Sequence, residues 1–135
     1  MLVQGRHLPL SKAAIVRTAQ TVLRRERRQA ILSLTFVGRD RMRALNTRWK
    51  RRSESTDVLA FALAGPDGAL AGDVYICRSV AQREARVRRI PLRQELTRLV
   101  VHGVLHVLGY DHPDGPEREA SAMWQRQERY VRMLR

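Results

Sequence analysis

The segment HGVLHVLGYDH, residues 102–112, decides how the rest of the chain is organised. It contains three of the four histidines in the protein. An α-helix has about 3.6 residues per turn, so His102 and His106 should project from one face, one turn apart. Gly109 can adopt the left-handed conformation that ends a helix, which allows His112 to turn back toward the other two imidazoles. The pattern therefore predicts a helix with a three-histidine site at its end.

This histidine cluster is a typical ligand set for Zn²⁺. Three neutral imidazoles bind the ion at roughly 2.0–2.1 Å each and leave a fourth position for water. Two histidines four residues apart on a helix are often accidental, but a third one after a helix-ending glycine has few structural explanations. A structural zinc site would close the fourth position with a further Cys or His, and no cysteine lies nearby. We therefore predict one Zn²⁺ per chain, bound by His102, His106 and His112 in an open, catalytic type of site.

The same histidine spacing occurs in the metzincin metalloproteases. Their motif, HExxHxxGxxH, places a glutamate general base directly after the first histidine. This chain has Gly103 at that position, and glycine has no side chain that could accept a proton. A zinc metallopeptidase therefore remains an alternative, without its usual base.

The composition is that of one basic globular domain. With 135 residues, the chain is long enough for a single core, and we expect one domain over residues 1–135. The net charge is +13, and only Lys12 and Lys50 among the 26 basic residues are lysines. The arginine fork matches phosphate oxygens, so the charge favours a nucleic-acid partner, RNA or DNA. A solvated arginine-rich surface is the alternative.

Cysteine content and hydropathy indicate the compartment. The single cysteine, Cys77, excludes an intramolecular disulfide and is typical of a reducing cytoplasm. The first 15 residues lack the apolar run of a signal peptide, and no stretch approaches the roughly 20 apolar residues of a membrane span. We expect a cytoplasmic protein with no membrane association.

Hydrophobic periodicity predicts helices alternating with short strands. The predicted strands cover residues 1–3, 31–37, 58–63 and 72–77, the last two as a hairpin. The predicted helices begin at the Ser11 cap, at residues 38–40, at Ser79, with Pro91 in the first turn, and at Pro116. The last helix should extend to Leu134 as one amphipathic element, with Ala120, Met123, Trp124 and Val131 facing inward.

Three segments together resemble the YbeY family of bacterial endoribonucleases. Residues 102–112 match every fixed position of the family's metal motif, HGxLHxxGYDH. Residues 45–50 and 56–61 are similar to its L-N-x-x-[YF]-R-x5-T-D-V-L-S-F segment, and residues 72–77 to its G-D-[IV]-x-I-[CS] segment. The segments occur in the family's order and spacing, and the likeness covers most of the chain from about Ile31.

The resemblance implies an α+β fold, with a small mixed central β-sheet flanked by helices and the metal site at the end of a buried helix. It implies a single-strand-directed, metal-dependent endoribonuclease that acts in 16S rRNA 3′-end maturation and ribosome quality control. A zinc-bound water or hydroxide would attack the phosphodiester. The implied partners are rRNA in the small ribosomal subunit, with ribosomal proteins or a GTPase as further candidates and no DNA. A non-enzymatic ribosome-binding protein with structural zinc is another alternative.

The resemblance also suggests residues beyond the metal ligands. The family's conserved arginine falls on Lys50, which keeps the charge but loses the bidentate fork. We expect Lys50 to act at the phosphate if its loop lies beside the metal, and Arg48, Arg51 and Arg52 to bind RNA. Asp111, next to His112, is predicted either to orient an imidazole or to stabilise the turn.

Four other polar residues near or outside the motif receive structural interpretations. Glu95 and Arg98 precede His102 by two turns and one turn on the same helix, a position from which they could reach the cleft, but pairing on the helix surface is favoured. Tyr110 is interpreted as a packing residue. His7 is distant in sequence and is expected on the surface.

Overall fold

The computed structural model describes residues 1–6, 8, 10–50, 58–65, 67–113 and 115–134, without the side chains of Trp49 and Lys50. Helices and strands alternate along these residues. In chain order they are β1 (Leu2–Gln4), α1 (Lys12–Arg25), β2 (Ile31–Val37), α2 (Arg39–Lys50), β3 (Val58–Ala64), β4 (Leu70–Cys77), α3 (Arg78–Arg88), α4 (Leu92–Val107), a 3₁₀ segment (Gly115–Ala120) and α5 (Ala122–Leu134).

The strands form one mixed sheet in the order β1-β2-β4-β3. β1 pairs with β2 and β2 with β4 in parallel, whereas β3 and β4 form the predicted antiparallel hairpin. Val74 of β4 lies in the middle, with Leu34 of β2 on one side and Ala60 of β3 on the other. The predicted α+β fold with a small mixed central sheet is therefore confirmed.

α4 is the central helix of the molecule. It contacts α1, α3, α5 and the strands β3 and β4, and its apolar residues belong to the main core together with those of α1 and β2. On the opposite face of the sheet, Met42 of α2 packs in a smaller cluster with Leu59 and Cys77. The expectation of a buried helix that carries the site is met by this arrangement.

Two glycines allow α4 to lie directly on β4. A Cβ atom on Gly103 would lie 2.4 Å from a methyl carbon of Val74, and one on Gly72 would lie 2.5 Å from a methyl carbon of Val107. The helix and the strand thus each contribute one glycine and one valine to a reciprocal contact. Gly103 is therefore required by packing, a reason that the metzincin comparison does not supply.

The prediction that the last helix begins at Pro116 is wrong for its first turns. The 3₁₀ segment Gly115–Ala120 precedes α5, and Ser121 separates them. The Ser121 hydroxyl accepts a hydrogen bond from the Trp124 N–H and donates one to the Arg118 carbonyl, which starts a new helix at this point. Ala120 is exposed and Trp124 is half-buried, whereas Met123 and Val131 are buried as predicted.

The other boundaries lie close to their predicted positions. Ser11 caps α1, because its hydroxyl oxygen accepts a hydrogen bond from the Ala14 N–H at 3.1 Å. Pro91 immediately precedes α4 and is not part of its first turn, a shift of one residue from the prediction. None of the described helices has the length and apolar character needed to cross a membrane.

Candidate metal centre

α4 and the turn that follows it bring three imidazoles together. His102 and His106 lie one turn apart on α4 with their ring centroids 4.6 Å apart. Gly109 adopts a positive φ of 105°, and the Tyr110 N–H bonds back to the Leu105 carbonyl. After this reversal, the His112 ring lies 5.0 Å from each of the other two rings. The predicted convergence is therefore present.

The ligand atoms of these histidines fit a metal ion. One ring nitrogen of each residue lies within 4.8 Å of the corresponding atoms of the other two. His102 is only 3% exposed, whereas His106 and His112 are half-buried. The cluster is closed at His102 and accessible from the other two, as expected for a site that keeps one position for water or substrate.

Gln127 of α5 orients the buried imidazole. Its side-chain oxygen lies 2.5 Å from Nδ1 of His102, and its amide nitrogen donates to the Glu128 carboxylate at 3.0 Å. Because a carboxylate only accepts, the amide oxygen of Gln127 must face His102. His102 then carries its proton on Nδ1 and leaves the lone pair of Nε2 for a metal.

His112 is oriented by backbone. Its Nδ1 lies 2.9 Å from the carbonyl oxygen of Pro113, which can only accept, so Nε2 is again the nitrogen available to a metal. The Asp111 carboxylate accepts a hydrogen bond from the backbone N–H of His112 at 2.8 Å. The structure thus places Asp111 on the backbone of the turn, not on an imidazole.

The environment keeps His102 neutral. The pKa of His102 is lowered to about 3, mainly by burial and next by the neighbouring His106, with smaller contributions from the charges of Arg118 and His112. The hydrogen bond to Gln127 acts in the opposite direction. A neutral imidazole is the form that binds a metal, so His102 is ready to bind one at neutral pH.

A largely buried ion-pair network holds Glu128, the carboxylate to which Gln127 donates its hydrogen bond. Arg98 donates to both carboxylate oxygens of Glu128 at 2.8 Å each and to Glu95 at 2.9 Å. Burial would raise the pKa of Glu128, but hydrogen bonds from Arg98 and Gln127 lower it. Glu95 and Arg98 pair as expected, but their expected position on the helix surface is wrong, because they are only 2% and 7% exposed. α5 covers the side of α4 on which they lie.

A polar cavity of about 250 Å³ opens beside His102. It lies between α3, α4, α5 and the 3₁₀ segment, and its walls include Arg88, Arg118, Trp124 and Gln127. Of the three histidines, His102 is the one that lines this cavity. Glu95 and Arg98 line it as well, which is the alternative position expected for this pair.

The turn that carries His112 is anchored to α1. The Tyr110 hydroxyl donates to one carboxylate oxygen of Glu26 at 2.6 Å, while Tyr130 and Arg126 donate to the other at 2.5 and 2.9 Å. The Glu26 side chain is 6% exposed. Tyr110 also packs against the main core, as predicted, and its hydroxyl adds a contact that its sequence position did not indicate.

The predicted phosphate-binding residues lie partly outside the described structure. Arg48 is exposed near the C-terminal end of α2. Lys50 is the last residue of that helix, and its side chain lies outside the described part of the chain, as do Arg51, Arg52 and His7. Their predicted roles remain predictions.

Known proteins resemble both the sequence and the fold. A family model described as Endoribonuclease YbeY matches residues 4–135. Proteins named Endoribonuclease YbeY include one from an Anaeromyxobacter species, 46% identical over 71% of this chain and 49% of its own length. Another, from Chromohalobacter salexigens, is 42% identical over 68% of this chain and 60% of its own length.

A solved structure of another protein has a similar fold. The solution structure of a Thermotoga maritima protein superposes with a TM-score of 0.68 at 26% identity, covering 99% of this chain and 89% of that one. The chain spans about half the length of the curated relatives that it matches.

Proposed function

The chain belongs to the YbeY family, and from this premise we propose that it is a metal-dependent endoribonuclease that hydrolyses single-stranded RNA. The observation that carries the proposal is the convergence of His102, His106 and His112 beside an accessible polar cavity. The names of the relatives support RNA as the substrate.

We infer that the metal is Zn²⁺, one per chain. Neutral imidazoles are preferred ligands of this ion, and three of them leave a position for water or substrate. When bound, zinc would supply a Lewis acid for a phosphoryl oxygen and a water molecule of lowered pKa. The protein's contribution is to orient the rings: Gln127 holds His102 and the Pro113 carbonyl holds His112.

Hydrolysis forms one P–O bond from water and breaks the P–O bond to the leaving ribose oxygen. The attacking water loses a proton and the leaving oxygen gains one, so the net change is the addition of one water molecule. Negative charge grows on the phosphate oxygens during attack, and nearby cations stabilise it. We propose Lys50 for this role, with Arg48, Arg51 and Arg52 binding the RNA backbone.

The peptidase alternative is weaker on structural grounds. A glutamate at position 103 could not serve as general base here, because a side chain at this position would collide with Val74 on the sheet. A ribosome-binding protein with structural zinc is weaker too, since the site has three ligands and an accessible side.

The proposed biological setting is the cytoplasm, where the substrate would be rRNA of the small ribosomal subunit near the 16S 3′ end. Ribosomal proteins or a GTPase are proposed as further partners. The net charge of +13 is consistent with a polyanionic partner.

The proposal is tested by incubating the purified chain with single-stranded RNA and with casein, each with and without a chelator. We expect chelator-sensitive cleavage of RNA and no cleavage of casein. His106→Ala should abolish RNA cleavage, while His7→Ala, which removes the one histidine outside the motif, should leave it unchanged. Casein cleavage, or RNA cleavage that survives His106→Ala, would refute the proposal.

A further inference from the structure

The cavity beside His102 contains two neutralised arginines. Arg88 lies 3.5 Å from Glu119, 3.7 Å from Glu95 and 4.0 Å from Glu84. Arg98 is paired with Glu95 and Glu128. The carboxylates that line the cavity are therefore engaged with these two guanidinium groups, and their charges are balanced locally.

Arg118 is different. It belongs to the 3₁₀ segment and lines the same cavity as His102 and Gln127. Across the described residues, no carboxylate lies within salt-bridge distance of it, and its buried Nε has no hydrogen-bond partner. A buried donor without a protein partner is uncommon in native proteins, and such an N–H is available to a ligand, an ion or a water molecule.

Trp124 holds the Arg118 side chain in this position. The central guanidinium carbon of Arg118 lies 5.7 Å from the centroid of the Trp124 ring, and that of Arg88 lies 5.5 Å from it. A cation–π contact of this kind fixes the plane of a guanidinium but leaves its N–H donors unused. Arg118 is thus held in place with its hydrogen-bonding capacity free.

The position of this charge beside the metal ligands is unfavourable without an anion. Arg118 and His102 line the same cavity, so the charge of Arg118 lies near a proposed metal ligand. A divalent ion held by three neutral imidazoles keeps its full double charge. Two cationic centres beside one cavity repel each other unless an anionic group lies between them.

We propose that the cavity between Arg118 and His102 is a phosphate subsite of the RNA substrate, with Arg118 donating hydrogen bonds to the non-bridging oxygens of a phosphodiester. This proposal rests on the proposed function and names a second cation besides Lys50. Arg118 lies outside the three motifs shared with the YbeY family, and its guanidinium restores the bidentate fork that Lys50 lacks.

The cavity's size agrees with a single strand. Its volume of about 250 Å³ is near the lower end of ligand pockets, which begin at roughly 300 Å³. One phosphate and part of one nucleoside fit such a space, whereas a duplex does not enter it. Trp124 at its wall offers an aromatic surface to a base or a ribose.

The test measures binding of fluorescein-labelled hexauridylate to the full chain by anisotropy, in chelator so that the RNA stays intact. Arg118→Ala should weaken binding about tenfold, because charge-assisted hydrogen bonds to phosphate are lost. The affinity of Arg118→Lys should fall between that of the parent chain and that of Arg118→Ala. Arg86→Ala is the matched control, since Arg86 is exposed on α3, lies outside this cavity and carries the same charge. Equal losses for Arg118→Ala and Arg86→Ala would overturn the proposal.

A second measurement uses the zinc-loaded chain. In a Trp49→Phe background, Trp124 is the remaining tryptophan, and its emission reports on the cavity. Titration with inorganic phosphate should produce a saturable change in emission that Arg118→Ala abolishes. A response that is the same with and without Arg118 would contradict the subsite.

The two proposals fail in different ways. If the chain does not cleave RNA but Arg118→Ala still selectively weakens hexauridylate binding, the endoribonuclease proposal is wrong and the anion subsite stands. If RNA is cleaved and Arg118→Ala changes neither binding nor rate, the subsite is wrong and the endoribonuclease proposal stands.

Discussion

At the scale of single residues, Gln127 determines the orientation of His102, the most buried of the three proposed metal ligands. It is completely buried, and it connects His102 to a carboxylate that Arg98 holds in place through two hydrogen bonds. The amide orientation is fixed by Glu128, and the amide in turn fixes the tautomer of His102. A polar residue on the buried face of α5 is therefore explained by its hydrogen bonds to His102 and Glu128.

Replacing Gln127 with methionine should reduce zinc affinity by roughly 10–100-fold, the usual effect of losing a partner that orients a ligand. The physical reason is that methionine fills the space but cannot fix the Nδ1–H tautomer. Affinity is measured by competition with a chromophoric chelator. Gln125→Met is the matched control, because Gln125 is exposed on the same helix. Equal zinc affinity of the two variants would show that Gln127 does not orient His102.

At the scale of elements, the contact between α4 and β4 sets the position of two proposed metal ligands. Gly103 lies next to His102 in the chain. Because Gly103 and Gly72 have no side chains, the helix and the strand are in direct contact, and no space remains for a Cβ atom at either position. Movement of α4 away from the sheet would displace His102 and His106 together.

Gly103→Ala should therefore lower the free energy of unfolding by about 1–3 kcal/mol, the usual cost of overpacking a core. Urea denaturation at neutral pH measures the loss. Val74→Ala removes the methyl groups that the new Cβ would meet, so the double variant should lose less than the sum of the two single variants. Strict additivity would mean that Val74 does not limit the space at position 103.

Glu26 joins three elements, because it accepts hydrogen bonds from the turn after α4 and from α5 while sitting at the end of α1. Burial alone would raise its pKa, but the bonds from Tyr110 and Tyr130 and the charge of Arg126 lower it below the usual 4.5. A carboxyl with a lowered pKa in the folded state stabilises the protein above its unfolded pKa. That stability is lost as the pH falls through the folded-state value.

Glu26→Gln should accordingly be less stable than the parent chain at pH 7, by about 1–3 kcal/mol for a buried, charged hydrogen-bond acceptor. The difference should shrink as the pH falls from 4.5 through the lowered pKa of Glu26. Urea denaturation across this range checks both statements. A stability difference that does not change with pH would show that the charge of Glu26 is not responsible for it.

Most elements and the convergence of the three histidines could be predicted from sequence, because local periodicity and a helix-ending glycine determine them. The partners of those histidines could not. Gln127 lies 25 residues from His102, and their contact exists only because α5 packs on α4. The same packing buries Glu95 and Arg98, for which a position on the helix surface was favoured from sequence. The sequence offered one signal for this contact: Gln127 is a polar residue on the face of the last helix that Met123 and Val131 turn inward.

At the scale of the whole molecule, the net charge should govern binding of the proposed RNA substrate. A net charge of +13 attracts a polyanion, and each phosphate neutralised releases counterions, so binding should weaken steeply with salt. For a single strand, the slope of log affinity against log salt is about −0.7 per phosphate contacted. Arg51→Glu/Arg52→Glu should reduce both the affinity and the slope, measured by filter binding over a salt series. Affinity that is constant between low and moderate salt would contradict this expectation.

The central claim is that one metal ion at the three histidines is responsible for RNA cleavage. The most direct test strips the metal from the purified chain and adds Zn²⁺ in small steps, measuring bound zinc and the rate of single-stranded RNA cleavage in the same samples. The rate should rise in proportion to bound zinc and level off at one ion per chain, and His106→Ala should neither bind that ion nor cleave. Cleavage by the metal-free chain, or by His106→Ala at the parent rate, would contradict the account.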